Sequence, residues 1–180
     1  MTHEIIISGF GGQGVMAIGK TLAEAGMQES LSVSWLPSYG PEMRGGTANC
    51  AVVLTSGEII SPMIQEPTEL IAMNKPSLVK FEPMVVSGGT VFINSSIIEI
   101  LTQRKDILTY AIPCLEIAQE LGNPKVANMV MLGAYIAATG FIKAETIREM
   151  LTRIFTGPKA ALVELNVEAL RRGAECVIAF

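Results

Sequence analysis

The stretch that decides the fold is Ser8-Gly9-Phe10-Gly11-Gly12-Gln13-Gly14-Val15 (SGFGGQGV), which directly follows three isoleucines at residues 5–7. It contains the spacing G-x-G-x-x-G, in which glycines let the backbone turn tightly and approach a ligand. The isoleucines predict a central strand buried on both faces. Apolar residues at 15, 18, 22 and 25 then recur at helical spacing. The stretch therefore predicts a strand, a glycine turn and a helix N terminus that can face an anion.

Strand and helix patterns continue to alternate through the first two thirds of the chain. Strands are predicted at residues 4–8, 31–36, 47–55, 58–61 (as a hairpin return), 68–73, 90–94 and 107–112. Further helices are predicted at residues 76–81, 115–121, 124–139, 144–155 and 158–172. We predict an α/β, Rossmann-like layered fold with a mostly parallel central sheet and a helical C-terminal part, as a single domain over residues 1–180. The strand order stays open, because a loop rather than a helix joins the second and third strands.

The composition is apolar, with 49% hydrophobic and 17% charged residues and a mean hydropathy of +0.44. This favours either a membrane protein or a chain that buries apolar surface against partners. The longest charge-free apolar run, residues 126–142, is shorter than the roughly 20 residues of a membrane span. Asn123, Pro124 and Gly140 flank it as helix caps, so we predict a buried helix. A net charge of −4 without a Lys/Arg cluster disfavours nucleic acid binding.

The cysteines and the histidine give no sign of a metal or catalytic site. Cys50, Cys114 and Cys176 lie far apart and form no C-x-x-C pair, which disfavours an iron–sulfur or zinc site in this chain. An odd number of thiols and no basic region of a secretory signal predict a cytoplasmic protein with small buried cysteines. His3, the only histidine, is predicted to lie at a frayed terminus. We find no nucleophile–base pair and predict no catalytic residue.

A second glycine-rich loop, PSYGPEMRGG at residues 37–46, follows the second predicted strand. Its prolines and glycines exclude regular structure. If the first two strands are parallel, both loops leave the same edge of the sheet, where ligands of open α/β sheets bind. Arg44 is the strong anion donor of this loop, and Tyr39 and Met43 could cover a planar group.

An intact dinucleotide site is disfavoured, because such a site usually has Asp or Glu about 20 residues beyond the glycines. Residues 33–37 hold no carboxylate, Glu29 precedes the strand, and Glu42 lies well after it. Three interpretations remain open: a purely structural turn, contact with a phosphate-bearing ligand, and contact with a partner subunit.

The two segments GFGGQGV and PSYGPEMRGGTANCAVV together resemble the gamma subunit of the 2-oxoacid:ferredoxin (or other acceptor) oxidoreductases, over essentially the whole chain. The resemblance implies an enzyme that decarboxylates a 2-oxoacid, transfers the acyl group to coenzyme A and passes two electrons to ferredoxin. It implies thiamine diphosphate and magnesium in the alpha and beta subunits, and iron–sulfur clusters in the beta and delta subunits. The gamma subunit is implied to carry neither, and to help shape the coenzyme A region.

The same resemblance implies the binding residues and the partners. The candidates that it suggests for cofactor binding, at the coenzyme A region, are Gly9, Gly11, Gly12, Gln13, Gly14, Tyr39, Gly40, Pro41, Glu42, Met43, Arg44, Gly45 and Gly46. The implied partners are the alpha, beta and delta subunits, and we expect the isolated chain to self-associate. Family analogy favours 2-oxoglutarate as the substrate, followed by branched-chain 2-oxoacids or pyruvate. The alternatives are an independent Rossmann-type NAD(P)- or FAD-binding protein and a scaffold domain without a ligand.

Overall fold

The computed structural model describes residues 2–38 and 47–177, which form a six-stranded sheet with helices on both faces. The strands are β1 (Thr2–Phe10), β2 (Ser32–Ser38), β3 (Thr47–Thr55), β4 (Glu69–Ala72), β5 (Thr90–Asn94) and β6 (Leu108–Ile112). The helices are α1 (Val15–Gln28), α2 (Lys75–Phe81), α3 (Cys114–Glu120), α4 (Ala127–Thr139), α5 (Ala144–Ile154) and α6 (Ala161–Glu175). Short 3₁₀ turns precede α4 and α6 and follow α2.

The strand order is β2-β3-β1-β4-β5-β6. Strands β1, β4, β5 and β6 are parallel, whereas β3 is antiparallel to both of its neighbours. The predicted Rossmann-like α/β fold with a mostly parallel sheet and a helical C-terminal part is confirmed. Because β3 reverses direction between them, β1 and β2 run the same way without touching, and their carboxyl ends lie at the same edge of the sheet.

Two local predictions were wrong for reasons that the strand order supplies. Residues 58–61 form no strand, because β1 and β2 already occupy both edges of β3 and leave no place for a hairpin return. Pro37 does not end the second strand but lies within β2. An edge strand tolerates a proline, since one side of it has no ladder to complete.

The isoleucine run of β1 serves both faces of the sheet. Ile5 and Ile7 belong to the larger core, which β1 and β3 to β6 form with the helical layer that contains α1 and α3 to α6. Ile6 belongs to a smaller core on the opposite face, where Leu78 and Phe81 of α2 cover the sheet. The predicted burial of β1 on both faces is therefore confirmed.

Helix α4 lies inside the helical layer, with residues 129–136 all buried. It crosses α6 at two glycines: a β-carbon added at Gly133 would overlap the carbonyl group of Leu170, and one added at Gly173 would overlap that of Val130. The two helices therefore approach backbone to backbone. Across residues 2–38 and 47–177, no helix is both long enough and apolar enough to cross a membrane.

The prediction for His3 was wrong, because β1 begins earlier than its apolar run suggested. His3 is buried, its Nδ1 lies 2.7 Å from Oε1 of Glu69, and its ring lies 4.1 Å from that of Phe141. Thr68 donates its hydroxyl to Glu69 Oε2 at 2.5 Å, so the carboxylate is held from two sides.

The cysteines divide into two buried and one exposed. Cys50 and Cys114 are buried as predicted, and burial raises the pKa of the Cys50 thiol to about 11. Cys176 at the end of α6 is exposed, against the prediction.

Candidate ligand site at the carboxyl edge of the sheet

The glycine loop lies where the chain changes its direction of travel across the sheet. From β1 the chain passes through α1 toward β2 on one side, whereas from β4 it passes through α2 to β5 on the other. Strands β1 and β4 are adjacent and parallel, with Ser8 opposite Ala72. In open α/β sheets, a ligand crevice forms beyond the carboxyl ends of strands at such a switch point.

Gln13 holds the glycine loop against the end of β4. Its Oε1 accepts the backbone N–H of Phe10 at 2.6 Å, and its Nε2 donates to the carbonyl of Met73 at 2.9 Å. Gly9 lies beneath it, where an added β-carbon would come within 2.7 Å of Gln13 Oε1 and of Met73 Cβ. Both polar atoms of the Gln13 amide are thus engaged inside the protein, and this side chain shapes the loop.

The remaining glycines of the loop differ in what surrounds them. Gly12, with φ of +94°, is exposed, and an added β-carbon there would meet nothing within 4 Å. Gly14, with φ of +76°, is the N-cap of α1, and an added β-carbon would lie 2.7 Å from Cβ of Asn128 in α4. Gly11 is exposed beside Gly12. The first turn of α1 has neither an acidic residue nor a side-chain cap.

The predicted residues of the second loop, Tyr39 to Gly46, lie outside the described residues. Their flanks are placed: Thr47 of β3 pairs with Phe10 of β1, and Ser38 of β2 pairs with Asn49. Both flanks therefore lie at the carboxyl edge that carries the glycine loop, as expected for strands running in the same direction.

A small cavity of about 110 Å³ lies between the glycine loop and the start of α4. It is lined by Gly12, Gln13, Met73, Asn94, Leu115, Pro124, Lys125, Ala127 and Asn128. Sequence reasoning found Gly12 and Gln13 but missed the other lining residues. The available signal was that Met73 and Asn94 come at the ends of consecutive predicted strands, where parallel strands bring such residues together.

Ser8 comes just before the glycine loop in the sequence. Ser8, the serine nearest the loop, is buried and pairs its hydroxyl with that of Ser77 at 2.8 Å. In the part of the chain that the structure describes, no three His, Cys, Asp or Glu side chains are grouped so that they could hold a metal ion.

These features define a class of protein: an open α/β domain with a glycine loop at its switch point. Residues 4–176 match the family model described as pyruvate ferredoxin/flavodoxin oxidoreductase. The chain is also 32% identical to the 2-oxoglutarate synthase subunit KorC of Methanothermobacter marburgensis, over 99% of this chain and 98% of that one. The chain therefore belongs to the pyruvate ferredoxin/flavodoxin oxidoreductase family.

Other relatives are longer. The ketoisovalerate oxidoreductase subunit VorA of Methanothermobacter thermautotrophicus is 40% identical over 94% of this chain. The match covers only 35% of VorA, so this chain spans about a third of the length of that relative.

Solved structures share the fold. The keto/oxoacid ferredoxin oxidoreductase gamma subunit from Geobacter sulfurreducens PCA has a TM-score of 0.83 and 29% identity, with 99% of each chain covered. A 2-oxoglutarate:ferredoxin oxidoreductase from Magnetococcus marinus gives a TM-score of 0.89 over 99% of this chain and 31% of that one. At 22% identity the second likeness concerns the fold alone.

Proposed function

We propose that this chain is the gamma subunit of a multi-subunit, thiamine diphosphate-dependent 2-oxoacid:ferredoxin (or other acceptor) oxidoreductase in the cytoplasm. The whole enzyme would convert a 2-oxoacid to its acyl-CoA, and this chain would act in it as one non-catalytic unit. The observation that carries the proposal is an end-to-end match, in sequence to KorC and in fold to the Geobacter gamma subunit.

We propose alpha, beta and delta subunits as partners, with thiamine diphosphate, magnesium and iron–sulfur clusters in those subunits. Large apolar side chains on the surface support an obligate subunit: Ile60 is fully exposed, Met63 is 66% exposed, and Leu36 in β2 is 47% exposed. Permanent interfaces bury such side chains. The extra length of VorA also supports a chain that works attached to further protein.

The two glycine loops are proposed to contribute to the coenzyme A region. Support comes from the exposed Gly11 and the open space beside Gly12 at a switch point, and from Ser38 and Thr47, the residues that flank the second loop, which lie at the same edge. Replacing Arg44 by Ala in the assembled enzyme tests this. A raised KM for coenzyme A with an unchanged kcat supports direct binding. An unchanged KM removes Arg44 from the site and favours the alternative of a scaffold without a ligand.

The proposed substrate is 2-oxoglutarate, because the KorC subunits match over nearly their full length. A second candidate is 2-ketoisovalerate, since the VorA chains reach 39–40% identity where the KorC chains reach 32%. To decide between them, the purified complex is assayed with each 2-oxoacid in turn, and the two values of kcat/KM are compared.

Co-purification is the first experiment. The chain is tagged in its native host, and the proteins and cofactors that accompany it are identified. Recovery with a thiamine diphosphate- and iron–sulfur-containing complex that oxidises a 2-oxoacid with coenzyme A supports the proposal. Recovery of the chain alone with a bound nucleotide overturns it and favours the alternative, an independent NAD(P)- or FAD-binding protein.

A further inference from the structure

The cavity between the glycine loop and α4 contains an unmatched hydrogen-bond donor. Asn94, the last residue of β5, lines the cavity and is only 1% exposed. Its Oδ1 accepts the backbone N–H of Ser96 at 3.3 Å, whereas its Nδ2 is buried with no hydrogen-bond partner. A buried polar atom without a partner is costly, and because Asn94 lines a cavity, a ligand in that cavity could supply the missing acceptor.

In the two other side-chain amides that line the cavity, the oxygen likewise accepts a hydrogen bond from the backbone. Oδ1 of Asn128 accepts the backbone N–H of Met129 at 3.0 Å, and Oε1 of Gln13 accepts that of Phe10. Backbone donors thus occupy the amide oxygens of Asn94, Asn128 and Gln13. Each of these oxygens therefore already accepts one hydrogen bond, whereas Nδ2 of Asn94 makes none.

Charge and helix ends add to this preference. Among the nine residues that line the cavity, Lys125 is the one with a charge, and it is positive. The N termini of α1 and α4 meet here, because Gly14 packs against Asn128. Both helices exceed twelve residues, and neither has an acidic residue in its first turn. Two positive dipole ends without a carboxylate favour an anion.

We infer that this cavity is a subsite for a compact oxyanion, most fittingly the phosphate group of a soluble ligand. Nδ2 of Asn94 at the end of β5, Lys125 and the exposed backbone of Gly12 would be its donors. The cavity of about 110 Å³ has room for one such group, not for a nucleotide, so any larger ligand extends outward over the carboxyl edge. The inference rests on the proposed ligand region but names residues that the two glycine loops do not include.

The test is a titration of the isotope-labelled full chain with inorganic phosphate at constant ionic strength, followed by the NMR signals of the Gly12 backbone and the Asn94 side-chain amide. Saturable shifts of both signals are expected.

Lys125→Gln should weaken phosphate binding about fivefold or more, and Asn94→Asp should abolish it. The matched controls are Lys159→Gln, exposed in the turn before α6, and Asn74→Asp, whose Nδ2 is also buried and unpartnered but does not line the cavity. Both should bind phosphate like the wild type.

The outcomes separate this inference from the proposed function, because phosphate binding needs no partner subunit. The subsite is overturned if chloride causes the same NMR shifts as phosphate, or if Lys125→Gln binds phosphate as tightly as the wild type. Either result holds even if co-purification succeeds. Since Lys125 is exposed, that variant decides the matter even if Asn94→Asp fails to fold. A second titration with ADP distinguishes the source: tighter binding than phosphate assigns the group to a nucleotide-like ligand, and equal binding assigns it to free phosphate.

Discussion

The glycines of two regions of this protein differ in what occupies the space where a side chain would be. At the crossing of α4 and α6, the space beside Gly133 and Gly173 is filled by the backbone of the other helix. In the loop after β1, the space beside Gly12 is empty. The first region uses glycine to bring the chain close to itself, whereas the second leaves the backbone bare toward solvent. Substitutions at the two places can test whether this difference in surroundings also means a difference in role.

The largest effect is expected at the helix crossing. Gly173→Ala or Gly133→Ala places a methyl group onto a carbonyl of the facing helix, so the two helices must separate. We expect a loss of about 3 kcal/mol or more in the free energy of unfolding, measured by urea denaturation of the purified chain.

The matched control for this substitution is Gly57→Ala, in an exposed turn where an added β-carbon would meet only Thr55 Oγ1 at 3.8 Å. It should change the stability by less than about 0.5 kcal/mol. Equal stabilities of Gly173→Ala and Gly57→Ala would mean that the helices do not cross as closely as described.

An intermediate effect is expected for Gln13→Ala. The substitution removes the hydrogen bonds to Phe10 and Met73 that hold the loop, which should cost about 2 kcal/mol. Gln28→Ala, exposed at the other end of α1, is the control and should be near neutral. Urea denaturation measures both variants. If the two variants proved equally stable, the side-chain hydrogen bonds of Gln13 would not stabilise the loop.

The smallest effect on stability is expected for Gly12→Ala. Nothing blocks the added methyl group, and the cost is the strain of φ at +94°, about 1 kcal/mol. The assembled enzyme should nevertheless show a raised KM for coenzyme A, because the methyl group covers the bare backbone. A variant with wild-type kinetics and wild-type assembly would make Gly12 a turn residue only.

Local patterns predicted most elements of the fold. The isoleucines at 5–7 and the helical spacing after Gly14 predicted β1 and α1, and the predicted bounds of β3 and β5 match the structure. Asn123 caps the turn before α4 through its side chain, and Gly140, with φ of +63°, ends that helix. Each of these signals acts within one turn or one strand, so no knowledge of the tertiary structure was required.

Predictions failed where the answer depended on which elements become neighbours. The return strand at 58–61 was excluded by β2, which fills the edge of β3 that a hairpin would need. The close crossing at Gly133 and Gly173 was missed, because a glycine within a helical pattern does not reveal the helix that faces it. Likewise, Asn94 and Asn128 meet at one cavity only after β5 and α4 are placed side by side.

The placement of α4 has a mechanical consequence. Its first residues, Ala127 and Asn128, border the cavity, and one turn further on the backbone at Val130 touches α6 at Gly173. A close-packed contact of this kind leaves no slack for sliding. Because α4 is fixed against α6 within one turn of the cavity, the wall that Ala127 and Asn128 contribute is held in place by the helix crossing.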